Sequence, residues 1–306
     1  MAATDSRGDA AVPILTIHHE TTYAYRRPVT FGAHTMMLRP RDDADQRVIG
    51  ESIEIVPEPR RVAWRRDAFG NHVAVADFDG RSDALRFLST VRLDVAPLDF
   101  DAEPIAESAR RTRFAYGSTD RVALLRFMAP LQPDPAVADW AVSFLDADGD
   151  SDTRALLVGM TRAIRRSCRH VARHEHGVQS PAETLQKGSG SCRDVAVLMI
   201  SALRSLGFAA RFVSGYLRVA DGGEDLAGGN THAWAQVYVP GPGWVDFDPS
   251  SGSVGNRDLV RVAVVDDPVA AVPLHGTYFG EAGDHVGMTV AVRVTGDGWQ
   301  APMAGP

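Results

Sequence analysis

A chain of 306 residues, 44% apolar and 23% charged, has the composition of an ordinary globular protein, and this excludes disorder as its global state. With 32 basic against 39 acidic residues, the net charge of −7 argues against a general nucleic-acid binder. Two cysteines, Cys168 and Cys192, are too few for a disulfide framework or an all-cysteine zinc site. No run reaches the roughly 18 apolar residues of a membrane span. Residues 1–13 lack a charged stretch followed by an apolar one, so no secretory signal is visible and the expected location is the cytoplasm.

In chain order, residues 1–13 read as a loose tail. Residues 14–100 form an expected all-β domain. Short alternating segments at 14–18, 48–56, 72–78 and 88–95 are separated by turn clusters such as Phe69-Gly70-Asn71. Residues 101–295 form an expected α+β core with a helical front. Short helices are predicted at 104–113, 120–127 and 133–145, the last with Ala136, Trp140 and Phe144 on one face. A longer helix, capped at Ser151 or Asp152, turns Leu156, Leu157, Met160 and Ile164 inward. Residues 167–175 read as a strand and 180–190 as a polar connection. From Cys192 to Leu206 the apolar residues Val195, Leu198, Met199, Ala202 and Leu203 follow helical spacing, with Gly207 placed for a left-handed cap. Strands follow at 210–217, 232–239, 244–248 and 288–294. A glycine-rich stretch at 220–230 interrupts them, and residues 296–306 look frayed.

Three segments carry chemistry. Gly188-Ser-Gly-Ser-Cys192-Arg-Asp194 puts a cysteine at the first turn of a helix, where the macrodipole favours the thiolate. Thr231-His-Ala-Trp-Ala-Gln-Val-Tyr-Val239 alternates, so His232, Trp234, Gln236 and Tyr238 share a face and His232 stands at the strand's start. Gly241-Pro-Gly-Trp244-Val-Asp-Phe-Asp248 follows a turn, which makes a hairpin of the two. An odd, three-residue loop would pair residue 234 with 248 and set His232 diagonally beside Asp248, about 7–8 Å away between backbones. A four-residue loop without a bulge would send them to opposite faces. Cys192, His232 and Asp248 are therefore the candidate nucleophile, base and orienting carboxylate.

These segments, together with Arg211-Phe-Val-Ser-Gly-Tyr-Leu217, resemble the transglutaminase-like superfamily. Residues 14–95, with Leu38-Arg-Pro-Arg41 and Asp67-Ala-Phe-Gly-Asn71, look like the β-rich N-terminal region found in its bacterial members. The resemblance implies a papain-like core in which a helix bears Cys192 and an antiparallel sheet bears His232 and Asp248. It implies a cysteine hydrolase of peptide or amide bonds working through a thioester. Protein-glutamine cross-linking and a non-catalytic scaffold are the alternatives. The partner implied is a peptide or protein substrate, in some relatives a peptide-ligating enzyme, with no nucleic acid, membrane, metal or cofactor. Many relatives have a histidine where this chain has Ala196-Val-Leu198, and Glu where Gln236 stands.

Gln186, six positions before Cys192, has the offset of a papain-type oxyanion glutamine, and Trp234 and Trp244 are candidates for walls of the cleft. Asp194 reads as a helix-start acid with a structural role. Cys168, His170, His174 and His176 have even spacing, but a flat strand would spread them over about 25 Å, too far for one ion. His174 or His176 is the expected cleft residue from that group. In Asp146-Ala-Asp-Gly-Asp-Ser-Asp152 the glycine and bidentate glutamate of a calcium loop are missing at the required positions.

Overall fold

The computed structural model describes residues 14–173, 175–219 and 231–297. The expected tail at 1–13, the glycine-rich stretch 220–230, His174 and residues 298–306 lie outside the described residues. The first strands are β1 (Ile14–Met36), β2 (Gln46–Val56), β3 (Arg61–Arg66), β4 (His72–Asp77) and β5 (Ser82–Val95). Next come α1 (Ser118–Met128), α2 (Pro135–Val142), α3 (Thr153–Ser167), β6 (Arg169–His170), α4 (Pro181–Lys187), β7 (Ser189–Gly190) and α5 (Cys192–Ser205). Last are β8 (Ala210–Leu217), β9 (His232–Val239), β10 (Gly243–Asp248), β11 (Ser253–Val254), β12 (Leu259–Val265), β13 (Leu274–Phe279) and β14 (His285–Asp297).

The β module is built around β1. Its first half alternates, turning Leu15, Ile17, His19 and Thr21 inward. That half pairs antiparallel with β5 and β14, and β2 extends the sheet beyond β5. The second half pairs with β4 and β13, and β3 lies outside β4. Residues 274–297 therefore belong to this module. The expected division into a β domain at 14–100 and a core at 101–295 is corrected at its C-terminal end. The cause is a pairing between strands at opposite ends of the chain, for which alternation within either segment gives no sign.

The core is α5 laid on the antiparallel sheet β11-β10-β9-β8-β12. Ala233, Ala235, Val237 and Val239 of β9 join Val195, Leu198, Met199 and Ala202 of α5 in one apolar cluster. Full burial of each larger aliphatic side chain is worth about 1.5–3 kcal/mol, and this holds the helix at a fixed height on the sheet. Leu156, Leu157, Met160 and Ile164 of α3 join the cluster, as do Leu15, Ile17, Val91 and Leu93 of the β module. One core thus runs through both parts.

Several elements differ from the expectation. The helix at 104–113 shrinks to a 3-10 turn, Glu107–Ala109. In α2 the inward residues are Val137 and Ala141, while Ala136 is exposed. The strand at 167–175 is only β6. The connection at 180–190 contains α4: Ser180 Oγ accepts from Glu183 N at 3.2 Å, Pro181 opens the helix, and Gly188 closes it at φ 57°.

Candidate active site

Cys192 opens α5, at the end where backbone amides lack helical partners. Asp194 fastens that end. It is fully buried and accepts five hydrogen bonds: from Ser191 N at 2.8 Å, Ser191 Oγ at 2.7 Å, Gln179 N at 2.7 Å, Gln179 Nε2 at 3.2 Å and Arg173 Nη1 at 2.7 Å. Burial raises its carboxyl pKa, but the donors from Gln179, Ser191 and Arg173 outweigh this and lower it. Gly190 leaves room for this knot, since a Cβ there would lie 2.9 Å from Asp194 Cβ.

The hairpin has the odd loop that the triad requires. Val239 pairs with Gly243 and Ala235 with Phe247, so Pro240-Gly241-Pro242 forms a three-residue loop and residue 234 falls opposite 248. His232 Nε2 donates to Asp248 Oδ2 at 3.0 Å, and both side chains are buried. Asp248 also accepts from Ser250 N at 2.9 Å, Ser250 Oγ at 2.6 Å and Ser251 Oγ at 2.7 Å, which fixes its plane. The other ring nitrogen, His232 Nδ1, is buried with no oxygen or nitrogen partner.

Electrostatics couple that ring to the cysteine. Burial alone would raise the Cys192 thiol. The charge of His232, with the nearby His170 and His232 rings as donors to a thiolate, overcomes this and brings it down to about 6. Burial would lower His232, but Asp248 and Cys192 raise it to about 10. Asp248 is held down to about 2, because His232 and the two serines outweigh its burial. The arrangement favours a thiolate beside an imidazolium. Cys192 is partly exposed and so accessible to a reactant.

His170 is a site residue that its sequence position did not single out. The short parallel pair β6–β7 sets His170 opposite Gly190, two residues before the cysteine, and its ring helps to hold the thiol down. Cys168 and His176 of that evenly spaced group go elsewhere. Cys168 is buried in the core and its thiol is pushed up by burial, and His176 is exposed.

Three expected cleft residues are corrected. Gln186 lies on the exposed face of α4, because the segment before the cysteine is helical. The buried glutamine at this turn is Gln179, which donates to Ser189 O at 3.3 Å as well as to Asp194. Trp234 is fully buried behind His232 and walls no cleft. Trp244 lies opposite Tyr238, about 13 Å along the strand from Asp248, and is covered by Arg211 3.9 Å from its ring centroid.

Residues 15–94 match the bacterial transglutaminase-like N-terminal region and residues 146–249 match the transglutaminase-like superfamily core. An uncharacterised protein of Mycobacterium leprae is 25% identical over 91% of this chain and 98% of its own length. One from Mycobacterium tuberculosis is 28% identical over 86% of this chain and 87% of its own. The fold matches that of a cysteine protease candidate from Cytophaga hutchinsonii with a TM-score of 0.70, at 19% identity over 95% of this chain and 93% of that one. No helix among the described residues is long and apolar enough to cross a membrane. The two family matches show that this chain carries a transglutaminase-like superfamily core together with the N-terminal region of the bacterial members.

Proposed function

We propose that the chain is a cysteine hydrolase of peptide or amide bonds, with Cys192 as nucleophile, His232 as acid–base and Asp248 as the group that orients it. The observation that carries this reading is the division of the imidazole. Nε2 is committed to Asp248 at 3.0 Å, and Nδ1 is left to the thiol at the start of α5. The thiolate attacks the amide carbon, and the carbonyl electrons move onto oxygen. First-turn amides of α5 are placed to receive that oxyanion. When the C–N bond breaks, the amine leaves with the proton from His232, and the acyl group stays on Cys192 as a thioester. Water then attacks the thioester, gives a proton to His232 and releases the acid and the thiolate. His170, brought near Cys192 by the β6–β7 pair, is the proposed second donor to the sulfur.

The test is a peptide library incubated in H₂¹⁸O with wild type and with Cys192→Ala, read by mass spectrometry. New carboxyl termini carrying ¹⁸O in wild type alone are expected. Their absence from both proteins refutes hydrolysis. Incorporation of an added primary amine in place of ¹⁸O reassigns the site to acyl transfer.

A further inference from the structure

A line of buried charge lies behind the hairpin and takes no part in the triad. Trp234, two residues along β9 from His232, stacks on its imidazole with 6.0 Å between centroids and 26° between planes. The indole Nε1–H donates to Asp246 Oδ1 at 2.6 Å. Asp246 Oδ2 accepts from Arg261 Nη1 at 2.8 Å. Arg261 in turn meets two aspartates of the β module: its Nη2 donates to Asp45, and its Nε lies 3.5 Å from Asp43. Both belong to the loop between β1 and β2. Asp246 and Arg261 are only 2% and 3% exposed.

Burying an ion pair carries a desolvation cost that apolar side chains avoid, so stability alone is a weak reason for it. The surrounding backbone is shaped to hold it. The Gln46 amide brackets Arg261, accepting from its N at 2.9 Å and donating to its O at 2.8 Å. The β8–β12 pairing shifts register between Arg261 and Ala263. Gly215, paired with His232, is where a Cβ would lie 2.7 Å from the Trp234 ring and 2.0 Å from Val260 O. The missing side chain admits the indole behind the histidine.

We infer that Asp45 and Asp43 of the β module, acting through Arg261, Asp246 and Trp234, are positioning residues for the His232 imidazole. The β module is then a structural part of the active centre. This rests on the reading of His232 as the acid–base. Trp234 limits the ring to the rotation in which Nε2 meets Asp248 and Nδ1 meets Cys192. The aspartates offset the Arg261 charge, which would otherwise disfavour an imidazolium. The titratable groups coupled directly to His232 are Asp248 and Cys192, with His170 coupled to the thiol.

The experiment uses the full chain and the pH profile of Cys192 alkylation, with Cys168 mapped as the internal control. Asp45→Asn and Trp234→Phe are compared with Asn71→Ser. Asn71 belongs to the same junction, donating to Val264 O and accepting from Val264 N, both at 2.9 Å, and it reaches the charge line only through Arg41, which donates to both Asn71 and Asp43. All three variants should melt earlier. Only the first two should move the acid midpoint upward, by about half a unit or more, lowering the rate at pH 6 about twofold or more. Equal midpoints in all variants, or an equal shift in Asn71→Ser, would overturn the inference. The imidazole ¹⁵N signals of His232 are read in the same variants on a Cys192→Ser background. There Asp45→Asn and Trp234→Phe should disturb the Nε2–H tautomer and Asn71→Ser should not. If wild-type Cys192 titrates as an ordinary thiol, the hydrolase reading fails, and these ring signals still decide the role of the charge line.

Discussion

In a His232→Ala protein the Cys192 thiol loses the charge that holds it near 6 and returns toward its ordinary 9.0. At pH 6 about half of wild-type Cys192 is thiolate, against about one part in a thousand of the variant, an advantage of about 500-fold. Lower basicity makes a weaker nucleophile. With a Brønsted slope of about 0.45, a three-unit drop costs about 20-fold per thiolate. Wild type should therefore be alkylated about 25-fold faster at pH 6, and the variant about tenfold faster at pH 9. The two profiles cross near pH ~7.7, or a few tenths lower if the α5 dipole retains part of the shift. Alkylation by iodoacetamide between pH 5 and 10 measures this, with Cys168 resolved by mass spectrometry. His232→Gln, which keeps a donor for Asp248, serves if the alanine variant unfolds. Two profiles of the same shape, offset by a constant factor, would refute the thiolate–imidazolium pair, since a purely steric effect of the ring is independent of pH.

Amide turnover should be bell-shaped in pH, with limbs near 6 and 10 that belong to the coupled pair, whereas alkylation should not fall on the alkaline side. The same shifts enter stability with opposite signs. His232 contributes fully below 6.5 and loses its contribution as pH rises through about 10, while Cys192 contributes above 9.0 and loses it as pH falls through about 6. Melting curves of wild type and Cys192→Ala across that range check the sign. Asp194→Ala strips the partner from Arg173 and from buried donors of Ser191 and Gln179, and should cost about 3–5 kcal/mol in urea unfolding. His170→Phe should raise the acid midpoint of Cys192 alkylation while the fold persists. Gln186→Ala should leave turnover unchanged within about twofold, as for an exposed side chain.

The grouping of Cys192, His232 and Asp248 was legible because each of its parts is local. Helical spacing after Cys192 and alternation around His232 are short-range patterns, and the parity of a three-residue loop reduces the His232–Asp248 contact to counting. The α4 helix carries a capping signal in Ser180, Pro181 and Glu183, but its polar residues make the segment read as a connection. His170 was not legible, because its approach to Cys192 depends on a two-residue parallel pairing across 20 positions of chain. The line from Asp45 through Arg261 to Trp234 joins three distant segments whose charges, taken singly, read as solvated surface. Trp234 illustrates the limit. Alternation placed it correctly on the His232 face, but nothing local shows that it is buried against Val213, Leu259 and Val264 of other strands.

The pairing of β1 with β14 matches Ile14 to Asp297 and Tyr23 to Met288. On the ribosome β1 emerges well before β14, so the edge that β14 covers waits open while all the chain between them is made. An unpaired edge backed by apolar side chains is a template for intermolecular pairing. Contacts this far apart in sequence also form slowly. Aggregation during expression should therefore begin at β1, and chains that stall before residue 285 should be the ones that need a chaperone.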